Sequence, residues 1–374
     1  MIPYGKQHID KEDEKAVLEV LKSDYLTTGP KVQEFEKALC KYTNAKYAIA
    51  VANGTAALHI ASLILLKKGD LVLTTPNSFV ATSNSILYAG ARPVFVDIKE
   101  DGNIDLDKCE KILKNFNSIK AIYVVHFSGN PVNMEKLKYL KEKYNLTILE
   151  DSAHAIGATY QYGKIGNCKI SEITTFSFHP VKNITTAEGG AILTNNEEIY
   201  KKALILRNHG IEKKGKYVWE YKMKDLGFNY RITDIQCALG ISQLKKLDRF
   251  IKKRQEIAKK YEEEFKNTPI KPLYPFNENS AYHLYVVRYP FQSLEEKNQL
   301  FIKLREKGIF LQLHYIPIPS QPYYQKLGYT MDNLEEMKKY YLEAFSLPIY
   351  YDLTQKKQSY VINTLKETLK LQSK

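Results

Sequence analysis

From Tyr47 to about Asn195 the chain alternates short β-rich apolar runs with stretches of helical length, and few folds accept that alternation. The strand candidates are YAIAVAN from Tyr47, LVLTTP from Leu71, PVFVDI from Pro93, AIYVVHF from Ala121, LTILED from Leu146, TTFSF from Thr174 and GAILTN from Gly190. Several are nearly continuous in apolar residues, as strands buried on both faces of a mostly parallel sheet must be. Between them TAALHIASLILLKK, VATSNSILYAG and NMEKLKYLKEKYN have helical length and periodicity. The expected architecture is α/β, a large mixed, mostly parallel sheet flanked by helices.

Beyond Asp234 the pattern changes. Leu244, Leu247, Ile251, Ala258, Tyr261 and Phe265 recur at three- and four-residue steps, with one turn skipped, which predicts a long amphipathic helix. Its basic face, with Lys245, Lys246, Arg249, Lys252 and Lys253, reads either as an anion surface or as a solvated helix face. HLYVVRYP, EEKNQLFIKLREKG and NLEEMKKYYLEAF then suggest a smaller C-terminal α/β domain. A length of 374 residues suits two domains. The expected division is a large cofactor-binding domain with an N-terminal arm over 1–240, then an interdomain helix and the small domain over 241–374.

Composition works mainly by exclusion. The longest strongly apolar run, LHIASLILL over 58–66, is far shorter than the roughly 20 residues a bilayer helix needs. The opening MIPYGKQHIDKEDEKAV lacks a basic region leading into an apolar core, so no secretory signal is expected. A cytoplasmic chain with no membrane partner follows as the expectation. Cys40, Cys109, Cys168 and Cys237 stand singly, fitting neither a zinc site nor a disulfide framework, so reduced thiols and no metal are expected. The net charge is +13, but the lysines are spread along the chain and usually alternate with Asp and Glu. A nucleic-acid partner would call for a helix-turn-helix or an aromatic platform, and the sequence offers neither.

The segment TTFSFHPVKNITTAEGGAIL, from Thr174, carries the most chemical information. A strand rich in Thr and Phe enters a loop holding one lysine, Lys182, and the loop leaves through Glu188, Gly189 and Gly190 into another strand. A lysine held there and shielded from water has a lowered pKa and can attack a carbonyl, the requirement for a Schiff-base lysine. An ordinary loop lysine would show the same letters. Asp151 ends the apolar run LTILED, at the carboxyl edge where parallel sheets place their ligand crevice. An acid there can keep a proton on a pyridine nitrogen, or it can simply cap a helix. Asn53, Gly54 and Thr55 follow the first strand and open a helix whose free N–H groups and dipole suit a phosphate. A plain capped turn would look alike. Ser177, five residues before the lysine, could reach the same phosphate.

Taken together, NGTAAL, LTTGP from Leu26, TTPNSFVAT, EDSAHAIGA, FSFHPVK with TTAEGG, and FNYRITDIQCALG resemble the sugar aminotransferases of the DegT/DnrJ/EryC1/StrS family. The resemblance runs in order over nearly the whole chain. It implies a fold-type-I transferase dependent on pyridoxal 5′-phosphate, with Lys182 bonded to the cofactor and Asp151 paired with its pyridine nitrogen. It further implies that Phe79 stacks on the ring, that His154 lies beside it, and that Gly54, Thr55 and Ser177 hold the phosphate. Asn229 would reach the phosphate from the neighbouring subunit, which implies a homodimer with shared active sites. A core Phe and a satisfied core His remain the plain alternatives for Phe79 and His154.

Within the family, Tyr4, FSFHPVKNITTAEGG and LQLHYIPI from Leu311 resemble most the members that aminate C4 of a UDP-linked 2-acetamido-2,6-dideoxy-4-keto-L-sugar in pseudaminic acid biosynthesis, with L-glutamate as donor. By that analogy Tyr4, Leu26, Thr27, His314 and Tyr315 face the substrate, although a chain with 28 tyrosines uses many for packing. The alternatives are another nucleotide keto sugar, GDP- or dTDP-linked and 3-keto or 4-keto, or a dehydratase on the same fold. Lys182 argues against the dehydratase, since those relatives usually carry histidine in its place.

Overall fold

A computed structural model describes residues 1–213, 216–217 and 219–371. Its central sheet has seven strands: β1 (Tyr47–Val51), β2 (Leu71–Thr74), β3 (Arg92–Phe95), β4 (Ile119–Val125), β5 (Thr147–Asp151), β6 (Ile173–Ser177) and β7 (Gly190–Thr194). Their spatial order is β1-β7-β6-β5-β4-β2-β3. Every neighbouring pair is parallel except the two that involve β7, which runs antiparallel to both β1 and β6. The apolar runs read from the sequence are these strands. β7 is buried at all five positions and β5 at its last four, because helices cover both faces of the sheet.

The parallel arrangement gathers the loops that follow β1, β2, β5 and β6 along one edge. After β1 comes α1 (Gly54–Leu65), capped by Asn53, whose side chain accepts the Ala56 N–H at 2.8 Å. After β2 a short loop leads into α2 (Ala81–Tyr88), and β5 delivers Asp151 as its last residue. Such an edge is where open α/β sheets build ligand crevices.

The long helix expected after Asp234 is two helices, Asp234–Leu244 and Leu247–Phe265. Leu244 therefore ends one helix and Leu247 begins the next. Lys246 sits at the break, and it is buried rather than solvated: its Nζ lies 2.6 Å from Asp10 Oδ1 and 2.9 Å from Asp13 Oδ1. Periodicity reports helix faces but not a tertiary ion pair that draws one residue out of register. Beyond this point a three-stranded antiparallel sheet, Lys271–Pro272, Tyr285–Arg288 and Ala344–Leu347, gathers a second apolar core. We propose that the chain divides in the turn at Lys245 and Lys246, since residue 240 lies inside a helix.

The two parts are tied by specific bonds. Buried Asp97, just after β3, accepts the N–H groups of Glu336 at 3.1 Å and Met337 at 2.9 Å, capping the helix Glu335–Glu343. The N-terminal arm crosses to the same region: Ile2 exchanges hydrogen bonds with Gly308 and Phe310, and Tyr4 O accepts from Ile349 N at 2.9 Å. Among the described residues no helix is long and apolar enough to cross a membrane, and no group of three or more His, Cys, Asp or Glu side chains could hold a metal. The four cysteines are free.

Candidate active site

A cleft of about 770 Å³ opens at the carboxyl edge of the sheet. It brings together Tyr4, Gly54, Thr55, Phe79, Asp151, His154, Ser177, Lys182, His314 and Tyr315. Ten of the residues singled out in the sequence thus share one site, drawn from both ends of the chain.

Lys182 stands in the loop between β6 and β7, where Lys182 N donates to His179 O at 2.8 Å. Burial lowers its ammonium pKa to about 8, and the negative charge of Asp151 opposes that shift. A neutral amine is then abundant near pH 8, which an ordinary lysine does not offer. Asp151 is itself buried. Desolvation raises its pKa, opposed by the Thr82 hydroxyl, the Ala153 N–H and the charges of Lys182 and His126. Thr82 Oγ1 donates to Asp151 Oδ2 at 2.6 Å, and Ala153 N donates to Oδ1 at 3.1 Å. A buried carboxylate so fixed gains from a cationic partner placed in the cleft.

The turn after β1 packs closely against β6. A Cβ built on Gly54 would stand 2.9 Å from Ser177 Cβ and 3.2 Å from its Oγ. The missing side chain lets the Ser177 hydroxyl approach the first turn of α1, where no acceptor among the described residues meets the N–H groups of Gly54 and Thr55. This is a cradle for a small anion at a twelve-residue helix. Phe79, 60% exposed, projects into the cleft with its ring 6.3 Å from that of Tyr315.

His154 is buried against the ring of His283 at 4.4 Å and is joined to Tyr315 by a 3.0 Å hydrogen bond. Burial, and then the charges of Lys182 and His314, hold its pKa well below the usual histidine range. His314 is lowered to about 3 by burial and by Lys182, and its Nδ1 meets Ser346 Oγ at 2.8 Å.

Three expected residues lie elsewhere. Leu26 is 48% exposed, and its carbonyl accepts the Asp234 N–H at 3.0 Å. Thr27 bridges to Thr233, and exposed Asn229 bridges to Asn208. None of the three lines the cleft of its own chain. Conversely, Ser78, Thr82, His179, Glu188, Tyr230 and Gln312 line the cleft although the sequence reading gave them no role. Thr82 had a signal: the hydroxyl-rich run TTPNSFVAT enters a helix beside the tip of β5, and a buried Asp there needs donors.

Comparison with known proteins agrees with this site. The profile of the DegT/DnrJ/EryC1/StrS aminotransferase family matches residues 7–366, and the chain belongs to that family. It is 42% identical over 368 residues to the UDP-4-amino-4,6-dideoxy-N-acetyl-beta-L-altrosamine transaminase of Campylobacter jejuni, covering 98% of this chain and 96% of that protein. Among solved structures it is similar to Helicobacter pylori PseC, an aminotransferase involved in the biosynthesis of pseudoaminic acid, with a TM-score of 0.93, 37% identity and 99% of each chain covered. It is also similar to NtdA of Bacillus subtilis with bound cofactor PMP, with a TM-score of 0.86, 31% identity, and 97% and 83% of the two chains covered. The residues present fit a pyridoxal-type cofactor. An anion cradle, a buried carboxylate with no salt-bridge partner among the described residues and a lysine with lowered pKa are the three groups that such a ring, phosphate and aldehyde require.

Proposed function

We propose that this chain is a pyridoxal-phosphate-dependent aminotransferase moving an amino group from L-glutamate to C4 of a UDP-linked 2-acetamido-2,6-dideoxy-4-keto-hexose in pseudaminic acid biosynthesis, a reading supported by its likeness to the Campylobacter jejuni transaminase and to PseC. The observation that carries the reaction type is the meeting of Lys182 and Asp151 in one cleft beside the Gly54–Ser177 cradle. The sugar rests on the likeness to the Campylobacter jejuni transaminase, supported by Tyr4, His314 and Tyr315 on the wall of the cleft.

Pyridoxal phosphate, when bound, supplies a protonated ring that withdraws electrons from the carbon losing its proton. The chain does the rest. Gly54, Thr55 and Ser177 would hold the phosphate, Phe79 would shield the ring from water, and Asp151 would keep the ring nitrogen protonated. Lys182 anchors the cofactor covalently. As a free amine of lowered pKa, its Nζ would take the proton of the glutamate α-carbon and would return a proton to the carbon that receives the amino group in the half-reaction with the sugar.

The enzyme works as a cytoplasmic homodimer with shared sites in this reading. Two features support the sharing. Among the described residues the cleft is lined by no arginine and by no lysine except Lys182, which leaves room for cations supplied by another chain to meet the sugar diphosphate and the glutamate carboxylates. Leu26, Thr27 and Asn229 stand exposed outside their own cleft. The deciding assay follows 2-oxoglutarate formed from glutamate with a panel of UDP-, GDP- and dTDP-linked 4-keto and 3-keto sugars. Turnover confined to a UDP-linked 4-keto sugar is expected. Turnover only with a 3-keto or a dTDP-linked sugar would remove the substrate assignment and keep the enzyme class.

A further inference from the structure

Two side chains behind Lys182 grip three successive backbone carbonyls. Asn183 donates through Nδ2 to Ala281 O at 3.2 Å and to Ile156 O at 3.3 Å. Arg254, on the helix Leu247–Phe265, donates through one guanidinium nitrogen to Tyr282 O and His283 O, each at 3.2 Å, and to Ile349 O at 3.0 Å. The gripped segment is not a relaxed one. Tyr282 has φ +42°, a left-handed conformation that a bulky side chain keeps only where its surroundings impose it. Ile349 in turn donates its N–H to Tyr4 O at 2.9 Å, so the same arginine fastens the segment that holds a residue of the cleft.

Each of the two side chains keeps one buried polar atom without a partner among the described residues, Oδ1 of Asn183 and Nε of Arg254. Chemistry sets the orientation of Asn183, since only its NH2 group can face two carbonyls, which leaves the oxygen on the other side. Arg254 is 2% exposed, and its charge persists at neutral pH because burial lowers its pKa only to about 10. A cavity of about 10 Å³ is lined by Lys6, His8, Lys182, Asn183, Gln243 and Arg254. One water molecule needs roughly 10–15 Å³ by this measure, and a chloride ion or a carboxylate needs more. An anion would accept from Arg254 Nε but would face the lone pairs of Asn183 Oδ1. Water accepts from the one and donates to the other.

We propose that this cavity is a binding site for one buried water, which accepts from Arg254 Nε and donates to Asn183 Oδ1, and that Arg254 is a positioning residue holding the Lys182 backbone through it. The effect on rate rests on the aminotransferase reading, whereas the water site does not. Asn183 directly follows Lys182, so the bridge ties the loop of the reacting lysine to the long helix and, through Ile349, to Tyr4. A lysine that must meet a reacting carbon gains from such a tie, because a misplacement of about 1 Å can cost roughly 100-fold in rate.

The site is tested on the parent holoenzyme by crystallography at about 1.5 Å, with a second crystal soaked in bromide. A single density peak within about 3.2 Å of both Arg254 Nε and Asn183 Oδ1, with no anomalous signal from bromide, is expected. No peak, a direct bond between the two side chains, or a bromide signal at the peak overturns the proposal. The positioning role is read from Arg254→Lys, which keeps a cation beside the carbonyls and lacks the Nε donor, and from Asn183→Ala. In single turnovers of the pyridoxamine phosphate enzyme with 2-oxoglutarate, each is expected to lower the limiting rate about 10-fold while half-saturation changes by less than about 3-fold. Capture of pyridoxal phosphate by the cofactor-free variants, fixed with borohydride, should slow by a similar factor, with the pH of half-maximal capture unchanged. The double variant should lose less than the product of the two single losses, since both remove one bridge. A limiting rate within about 2-fold of the parent, a change confined to half-saturation, a moved pH midpoint or full additivity overturns the positioning role. If the parent captures no pyridoxal phosphate at Lys182, the cofactor reading fails and the density peak alone decides the water site.

Discussion

Thr82 Oγ1 donates to Asp151 Oδ2 at 2.6 Å, and Ser78 Oγ stands 2.7 Å from the same Thr82 oxygen. A threonine hydroxyl has one proton, and an ionised carboxylate can only accept. Thr82 therefore spends its proton on Asp151, and Ser78 must donate to Thr82, giving a hydroxyl chain that ends on the carboxylate. The chain favours the ionised form against the burial that raises the Asp151 pKa.

Replacing Thr82 by Val removes that support while nearly keeping the shape. The proposed role of Asp151 needs it ionised, and its pKa in the variant should lie higher still, so activity should be lost at a higher pH as the solution is acidified. The acid limb of the kcat profile is expected to move upward in pH, and turnover at neutral pH should fall about 10-fold. Thr82→Ser should restore both. An acid limb that stays in place would remove Thr82 from the role described.

The Lys182 amine gives a second pH signature. With its pKa lowered to about 8, the amine is mostly neutral above that pH, whereas an unperturbed lysine becomes so only near 10.5. Capture of pyridoxal phosphate by cofactor-free protein, fixed with borohydride and located by peptide mass, should rise with pH and reach half its maximum near pH 8. Lys182→Ala should abolish the labelled peptide and the release of 2-oxoglutarate from glutamate. Persistent transamination in that variant would overturn the assignment of Lys182.

Much of this architecture was legible in the sequence because the signals were local. The seven strands were read from β-rich runs, most clearly where burial on both faces leaves no polar side to alternate, as in β5 and β7. Asp151 was legible as the last residue of a strand and Lys182 as the one lysine of the loop between two strands, and the family motifs supplied their partners. What escaped were relations across the fold. Lys246 reads as one more charge on a helix face, yet Asp10 and Asp13, more than 230 positions earlier, draw it into the interior. Ser128 escaped for a similar reason, because a backbone N–H is present at nearly every residue and only the fold reveals which one meets His154. Thr82 was quoted within its motif but had no role until the helix after β2 set it against the tip of β5.

The cradle makes a prediction about space. Gly54→Ala would place a methyl group 2.9 Å from Ser177 Cβ, closer than packed carbons stand, so the turn or strand β6 must give way. The displaced element carries the hydroxyl and N–H groups of the anion site. Cofactor affinity, followed by fluorescence titration of the cofactor-free protein, is expected to weaken about 10-fold, with the cofactor-free fold destabilised by about 1–3 kcal/mol. Undiminished affinity would mean that the phosphate seats elsewhere.

The shared-site reading can be decided by mixing two damaged chains. Lys182→Ala removes the covalent anchor within its own chain, whereas Asn229, exposed and outside its own cleft, would act on the other subunit's phosphate. In a hybrid of Lys182→Ala with Asn229→Ala, shared sites put both defects into one cleft and leave the second cleft intact. Random reassortment of equal amounts makes about half of the dimers hybrids, each with one working site, so roughly one quarter of the parental activity should return. If Asn229 serves its own chain, both clefts of the hybrid are damaged and mixing restores nothing. The same experiment with Thr27→Val asks whether the segment at Leu26 and Thr27 crosses over too. Recovery there would place the substrate-side residues of one cleft on two chains.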